Sequence, residues 1–549
     1  MNFGDADGAP YLKQISKYTK VDWVRAAKLD ELLKKLEAYN YVILGFHKSN
    51  ASPWASYKFS KNELTWIQEI ARNNITILDV FTRPYAMLDL KSSSDLEGIV
   101  ISYQNSAVDQ EKSAQIIFGA LEAKGRLPVS LGYNFPVGTG YYTKALDRLS
   151  YGIPESVGMN SQKLKKIDSI INVALEGEMT PGLQVLVARK GKVIYQRNAG
   201  FHTYEKEIAV TDSSLYDLAS LTKILASLPL IMELEENGVL NFKSKLGDFM
   251  PFFKNSNKED ISLQNMLMHY ARLTPWLPFY VPTIDKATKR PSIEYYRDSS
   301  TVGFSTEVAE KMYIMNDIGD SIMSNIRDSN LEPHIGYKYS DLPFYIMKYY
   351  LEDYYRSSLA NITQEHFYKP LGANYTTYLP MEKFKLGQIV PTENDKLWRR
   401  QLVHGHVHDQ GAAMQGGVGG HAGLFSNAND VAKIMQMYLN GGTYGGKRYL
   451  DQKTLDKFNT CYYCEENVRR GVGFDKPQLG TAGPTCGCVS LSSFGHSGFT
   501  GTFAWADPEK EIVYVFLSNR VNPDVDNRRL IREDIRSKIQ SVIYESIDF

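Results

Sequence analysis

The stretch LASLTKILASLPLIMELEENG, residues 218–238, decides how the larger part of this chain is read. Ser220 and Lys223 stand three positions apart, so on a helix the hydroxyl and the amine share one face and come within reach of each other. The apolar residues that follow, Ile224, Leu225, Leu228, Leu230, Ile231 and Leu234, predict a helix buried almost all round. A lysine entering such a helix is costly to keep charged, and burial lowers its pKa toward that of a usable base. If Ser220 opens the helix, its own amide can donate to a developing oxyanion. The bland alternative is a helix-start serine beside a lysine that snorkels outward. Two fixed letters do not separate these readings, so the decision falls to the rest of the chain.

Upstream, Asn160 or Ser161 can cap a helix whose apolar face is Leu164, Ile167, Ile170, Ile171 and Ala174. Residues 183–188 and 192–198 then read as two strands joined at Arg189-Lys190-Gly191, and residues 502–506 and 512–517 as a second hairpin around Asp507 to Lys510. Strands at both ends of a long helical middle predict a sheet built from both termini, with a helical lobe inserted and a cleft between. Two further motifs belong to that cleft: Tyr339-Ser340-Asp341, and GHSGFTG at residues 495–501 just before a predicted strand. Ser497 there is not a nucleophile elbow, because that motif needs glycine where Phe499 stands. His404, His406, His408 and Asp409 invite a metal reading, since alternate strand residues point one way. The glycines from Gly411 to Gly423 favour a close-packed loop instead, and no metal or cofactor is assigned.

Residues 1–140 alternate strands, at 41–45, 75–80 and 96–103, with helices at 61–73 and 110–123. That pattern predicts an α/β domain with a parallel or mixed sheet covered on both faces. A linker at 141–155 leads into the second domain, 156–549. At 549 residues two domains are expected in any case. With 62 basic and 62 acidic residues, nothing predicts nucleic-acid binding. No apolar run approaches the roughly 18 residues of a membrane span, and the N-terminus has no secretory signal pattern. All four cysteines, Cys461, Cys464, Cys486 and Cys488, fall in one region. Zinc ligation and free thiols are alternatives, but disulfides between the two segments are preferred, with their connectivity open.

In order and spacing, Ser220-x-x-Lys223, Tyr339-x-Asp341 and the H-S-G segment from His496 resemble the three signature elements of class C β-lactamases, penicillin-binding DD-peptidases and related esterases. The resemblance spans residues 155–549 and implies an α+β fold of antiparallel sheet, flanking helices and inserted helical lobe. It implies an acyl-transferring serine hydrolase, acting as an esterase or DD-peptidase on cell-wall or acylated glycan material. Ser220 would be the nucleophile, with Lys223 and Tyr339 handling protons. The amides of Ser220 and Phe499 would form the oxyanion hole. His496 would bond to Tyr339 or contact the substrate, with Asp341, Ser497 and Gly498 also at the substrate. One departure matters: the family's asparagine is Asp341 here, which removes an NH₂ donor and sets a carboxylate near Lys223. Asp341 could alternatively cap the helix that follows it.

Residues 40–140, above all FGALEAKGRLPVSLGYNFPVGTG at 118–140, look like the second, α/β sandwich domain of family 3 glycoside hydrolases. In that family the carboxylate nucleophile sits on a preceding TIM barrel that this sequence lacks. The expectation is therefore a chain that begins partway through a longer, periplasmic or secreted polypeptide. The alternatives to an acyl hydrolase are an inactive binding module, or a supporting part of a glycosidase.

Overall fold

In the computed structural model, which describes residues 1–466, 468–478 and 483–548, the chain forms two compact units, Met1–Ser150 and Tyr151–Phe549.

The first unit is built on a four-stranded, all-parallel sheet in the order β1 (Asn2–Gly4), β2 (Tyr41–His47), β3 (Ile75–Phe81), β4 (Gly98–Ile101). Because successive strand residues alternate faces, Leu44, Phe46, Leu78 and Val80 meet Leu32, Leu36, Ile67 and Ile70 on one side, while Phe81 meets Tyr11, Ile15 and Ala114 on the other. Helix Lys61–Asn73 starts on the reciprocal Ser60–Glu63 capping box, and helix Ala107–Ile117 starts on Ser106. The helix expected at 110–123 thus begins and ends earlier, and β1 was not foreseen because three residues carry no periodicity. Asp79, buried in the middle of β3, is pushed up to about 6 by burial.

The second unit centres on a six-stranded sheet. Its strands are β5 (Ser150–Tyr151), β6 (Gly182–Arg189), β7 (Lys192–Gly200), β8 (Phe494–Ser497), β9 (Phe503–Asp507) and β10 (Ile512–Ser518), in the spatial order β8-β9-β10-β6-β7-β5. The β6–β7 turn puts Lys190 and Gly191 both at positive φ, the backbone of a tight hairpin whose twist matches the strands. The antiparallel β10–β6 ladder, from Ile512↔Arg189 to Ser518↔Leu183, joins the C-terminal hairpin to the N-terminal one. Leu183, Val185, Val187, Trp505, Tyr514 and Phe516 face helices Lys166–Glu176 and Ile535–Glu545. Helix Ala428–Leu439 packs on the other side, so the central strands are buried on both faces. Each fully buried aliphatic side chain contributes about 1.5–3 kcal/mol to such a layer. The chain between β7 and β8 forms the helical lobe, which carries Ser220 and Tyr339.

Candidate active site

The chain reaches Ser220 through a strained turn. Ala219 has φ +47°, a left-handed conformation that costs a non-glycine residue about 1–2 kcal/mol. Buried Asp217 holds it there, accepting from the Ala219 amide at 2.8 Å and from the His408 amide at 2.7 Å. The segment after β8 is seated on the same turn. Thr500 Oγ1 donates to the Asp217 carbonyl at 2.8 Å and Thr502 Oγ1 to the Leu218 carbonyl at 3.0 Å. Gly498 lies so close that an added Cβ would stand 2.5 Å from the Leu218 oxygen. The G-F-T-G-T run is therefore a docking register, with glycine for close approach and two threonines for the carbonyls. The backbone amides of Ser220 and Phe499 have no acceptor among the described residues.

Lys223 begins a π-turn, Lys223–Ser227, before helix Leu228–Glu236. The wider turn is held from outside: Tyr438 donates to the Ile224 carbonyl at 2.7 Å and Tyr368 to the Leu225 carbonyl at 2.9 Å. Lys223 Nζ is wholly buried and donates to Ser220 Oγ at 2.9 Å and to the His421 carbonyl at 3.1 Å. The Tyr339 hydroxyl donates to the same Ser220 oxygen at 3.2 Å. Asp341 Oδ1 stands 2.7 Å from Lys223 Nζ, a charge contact inside the site. Burial acts to lower the lysine, but the Asp341 charge and the Tyr339 oxygen outweigh it and hold Lys223 above its ordinary value. The expectation of a burial-lowered amine is thus corrected: the anion wins. Burial raises the Tyr339 phenol, with Asp341 adding and Lys223 opposing, so it too stays protonated near neutrality. Asp341 makes no side-chain cap bond to helix Leu342–Tyr355; the Ser340 hydroxyl accepts from the Leu342 amide at 3.2 Å instead.

Residues 167–536 match the Beta-lactamase family. The chain belongs to the beta-lactamase family. A putative D-alanyl-D-alanine carboxypeptidase of Escherichia coli (strain K12) is 30% identical over 404 residues, covering 69% of this chain and 87% of that protein. Among solved structures, the hydrolase EstCE1 superposes with TM-score 0.52 at 17% identity, covering 70% of this chain and 99% of the other. A class C beta-lactamase does so with TM-score 0.50 at 16%, covering 70% and 97%. This member of the family is a serine hydrolase with an α/β fold.

In this beta-lactamase-family chain, Ser220, Tyr339, Asp341 and Phe499 line one cavity of about 660 Å³. Trp276, Tyr280, His408, Asp409 and His421 share the lining. His421 Nε2 bonds to Asp409 at 2.8 Å, and its ring stacks on Tyr345 at 4.0 Å. Although burial works against it, the His421 contact and the Ala412 amide hold the Asp409 carboxyl far below the carboxylate range. His421 and His269 were not singled out from sequence, and Asp409 was read only together with the 404–408 histidines. His269 lies 4.5 Å from the Tyr339 ring, accepts from the Ser340 amide, and is held neutral by burial and by Arg470. A lone histidine in a loop gives no periodic signal, and only the glycines around His421 hinted at close packing.

Other expectations are corrected. His496 does not bond to Tyr339, whose ring centroid is 6.0 Å away; its Nδ1 donates to the Ser497 carbonyl at 2.7 Å. Burial, with Arg470 and Lys223 adding, pushes the His496 imidazole down to about 3. His496, Ser497 and Gly498 are absent from the cavity lining; Gly498 meets the Ser220 turn instead. The cysteines do not bridge the two segments. They pair locally, Cys461 with Cys464 and Cys486 with Cys488, because each short turn already brings its Cα atoms to 5.5 and 5.2 Å. The imidazoles of the 404–408 run go to separate partners: His404 to the Ile389 carbonyl, His406 toward Glu307 and His408 to Glu393.

Proposed function

We propose that Ser220 is the acyl-accepting nucleophile of an esterase. The supporting observation is that its hydroxyl is the one oxygen in contact with both buried Lys223 and Tyr339 among the described residues. With Lys223 cationic, its charge lies beneath the developing serine alkoxide and favours it. Tyr339 then carries the proton: as Ser220 gives its proton to the phenol oxygen, the phenol gives its own to the leaving oxygen. Water retraces the path in deacylation. The two unpaired amides, of Ser220 and Phe499, would receive the oxyanion. Asp341 supports esters over amides, since a carboxylate engaged with Lys223 has no N–H for a substrate carbonyl.

The decisive experiment is intact-mass labelling by a fluorophosphonate. One adduct is expected, lost in Ser220→Ala; labelling that survives the substitution ends this reading. Lys223→Ala and Tyr339→Phe should each slow acylation by about 100-fold or more, while His404→Ala should not.

Material from the cell wall or an acylated glycan fits the relative named as a carboxypeptidase. The resemblance of residues 40–140 to a glycosidase domain supports a glycan context. Two disulfides support a periplasmic or secreted setting. No helix among the described residues is long and apolar enough to cross a membrane.

A further inference from the structure

Arg470 brings a buried positive charge to Tyr339. The arginine is 3% exposed and sits on a tight turn, residues 470–475, that pairs onto edge strand β8. Asp475 bridges Arg470 on one side and Gly495 on the other, and its amide donates to the Gly495 carbonyl at 2.8 Å. Fully buried Val472 and Phe474 fix the turn, and Gly473 packs so closely on the helix after Ser220 that an added Cβ would stand 2.5 Å from Leu228. Arg470 is thus held in one place.

Its Nε and Nη2 donate to the Tyr337 hydroxyl at 3.2 and 2.8 Å, and Nη2 stands 3.3 Å from Asp475 Oδ1. That carboxylate is shared, since Arg469 Nη1 donates to the same oxygen. One carboxylate against two guanidiniums leaves positive charge over, which is costly away from water unless electron density faces it. The density is aromatic: the guanidinium carbon lies 5.2 Å from the Tyr339 ring centre and 5.5 Å from that of Tyr337. Of the other groups against the Tyr339 ring, His269 at 4.5 Å and His496 at 6.0 Å are neutral, and Lys223 at 5.4 Å is matched by Asp341. Burial acts to lower Arg470, but Asp475 and the Tyr337 and Tyr339 oxygens outweigh it. The attraction is mutual, so the guanidinium favours negative charge on the Tyr339 oxygen as much as that charge favours the guanidinium.

We propose that Arg470 is a positioning residue for Tyr339, holding its ring and stabilising the electron density left on the phenol oxygen as the phenol proton passes to the leaving alkoxide. The inference rests on the reading of Tyr339 as the proton carrier. Esters differ in how much they need that proton: an alkoxide cannot leave without it, whereas p-nitrophenolate can. The test compares kcat/KM, which reports acylation, for ethyl butyrate and p-nitrophenyl butyrate in the full chain. Arg470→Gln and Arg470→Met are run in parallel, with thermal melts, so that the comparison stands if one of them does not fold. Each should lower the ethyl ester value about tenfold, the scale of one desolvated cation–aromatic contact, and leave the p-nitrophenyl value nearly unchanged. Arg470→Lys keeps the charge but lacks the fork that reaches Tyr337 and Asp475 together, so it should recover part of the loss. In a Tyr339→Phe chain the same substitutions should cost the ethyl ester nothing further, because their effect runs through the phenol. Equal losses on both esters, no recovery with lysine, or an undiminished loss in the Tyr339→Phe chain overturns the proposal and makes Arg470 a structural tether, with Tyr339 left standing. A Tyr339→Phe chain that hydrolyses ethyl butyrate as the parent does sinks the proton-carrier reading, and the part of Arg470 with it.

Discussion

At the scale of single residues, the contact between Lys223 and Asp341 sets the chemistry. A carboxylate within a short sequence step of Tyr339 was legible as an anion near the lysine. That it would override complete burial was not, because the balance depends on a 2.7 Å separation that no spacing encodes. Replacing it with Asn leaves a buried ammonium without its counter-ion, so Lys223 falls toward and below its ordinary value. The sign follows: activity that depends on charged Lys223 is kept below its pKa and lost above it. The alkaline limb of kcat/KM for a p-nitrophenyl ester should therefore move to lower pH in Asp341→Asn. The restored NH₂ should also shift the ratio of kcat/KM from ester toward nitrocefin by roughly 5-fold to 150-fold, the span of one buried polar contact. An alkaline limb that stays in place would separate Asp341 from the charge of Lys223.

At the scale of elements, hairpins and amphipathic helices were legible because their periods repeat, and β6, β7, β9 and β10 lie within a residue or two of expectation. What escaped was every contact between elements distant in sequence. The π-turn after Ser220 is held by Tyr368 and Tyr438, which lie more than a hundred residues away, so no local pattern announces it. Tyr378, which donates to the Gly419 carbonyl, is another of the 36 tyrosines that serves as such a structural donor. The same holds for Gly498, expected at the substrate and found against Leu218 and Ala219. A Cβ there would meet Thr502 Oγ1 at 2.1 Å and push the segment after β8 off the Ser220 turn. Gly498→Ala should thus lower kcat by about 100-fold to 1000-fold, the scale of losing one oxyanion donor. Stability should drop by only about 1–3 kcal/mol, the usual cost of overpacking. Paired kinetics and thermal melts check this; loss of both fold and activity together would make the glycine a folding requirement instead.

At the scale of the whole molecule, the division into two units was visible in the switch from alternating strand–helix pattern to hairpins around a helical middle. The local cysteine pairing was not, since turn geometry decides it. Global stability carries a further consequence of buried histidines. His202 is pushed down to about 4 and His496 to about 3, and His269 lies well below its usual value, each first by burial. In the unfolded chain all three titrate near 6.5. Above that pH both states are neutral and the groups contribute no slope. Below it the unfolded chain binds protons that the fold refuses, so stability falls as pH drops, by up to about 1.4 kcal/mol per pH unit for each group. Asp217, raised by burial, works in the opposite direction and offsets at most one of them. Asp409, held far down, loses its contribution only below the ordinary carboxylate range and so lies outside this window. The melting temperature of the second unit should fall steadily from pH 6.5 to about 4.5. His202→Gln keeps a polar group opposite Ser214 but cannot titrate, so it should flatten that slope by about one group's share. A melting temperature independent of pH across this range, or a slope unchanged in His202→Gln, would mean that these imidazoles take up their protons without unfolding.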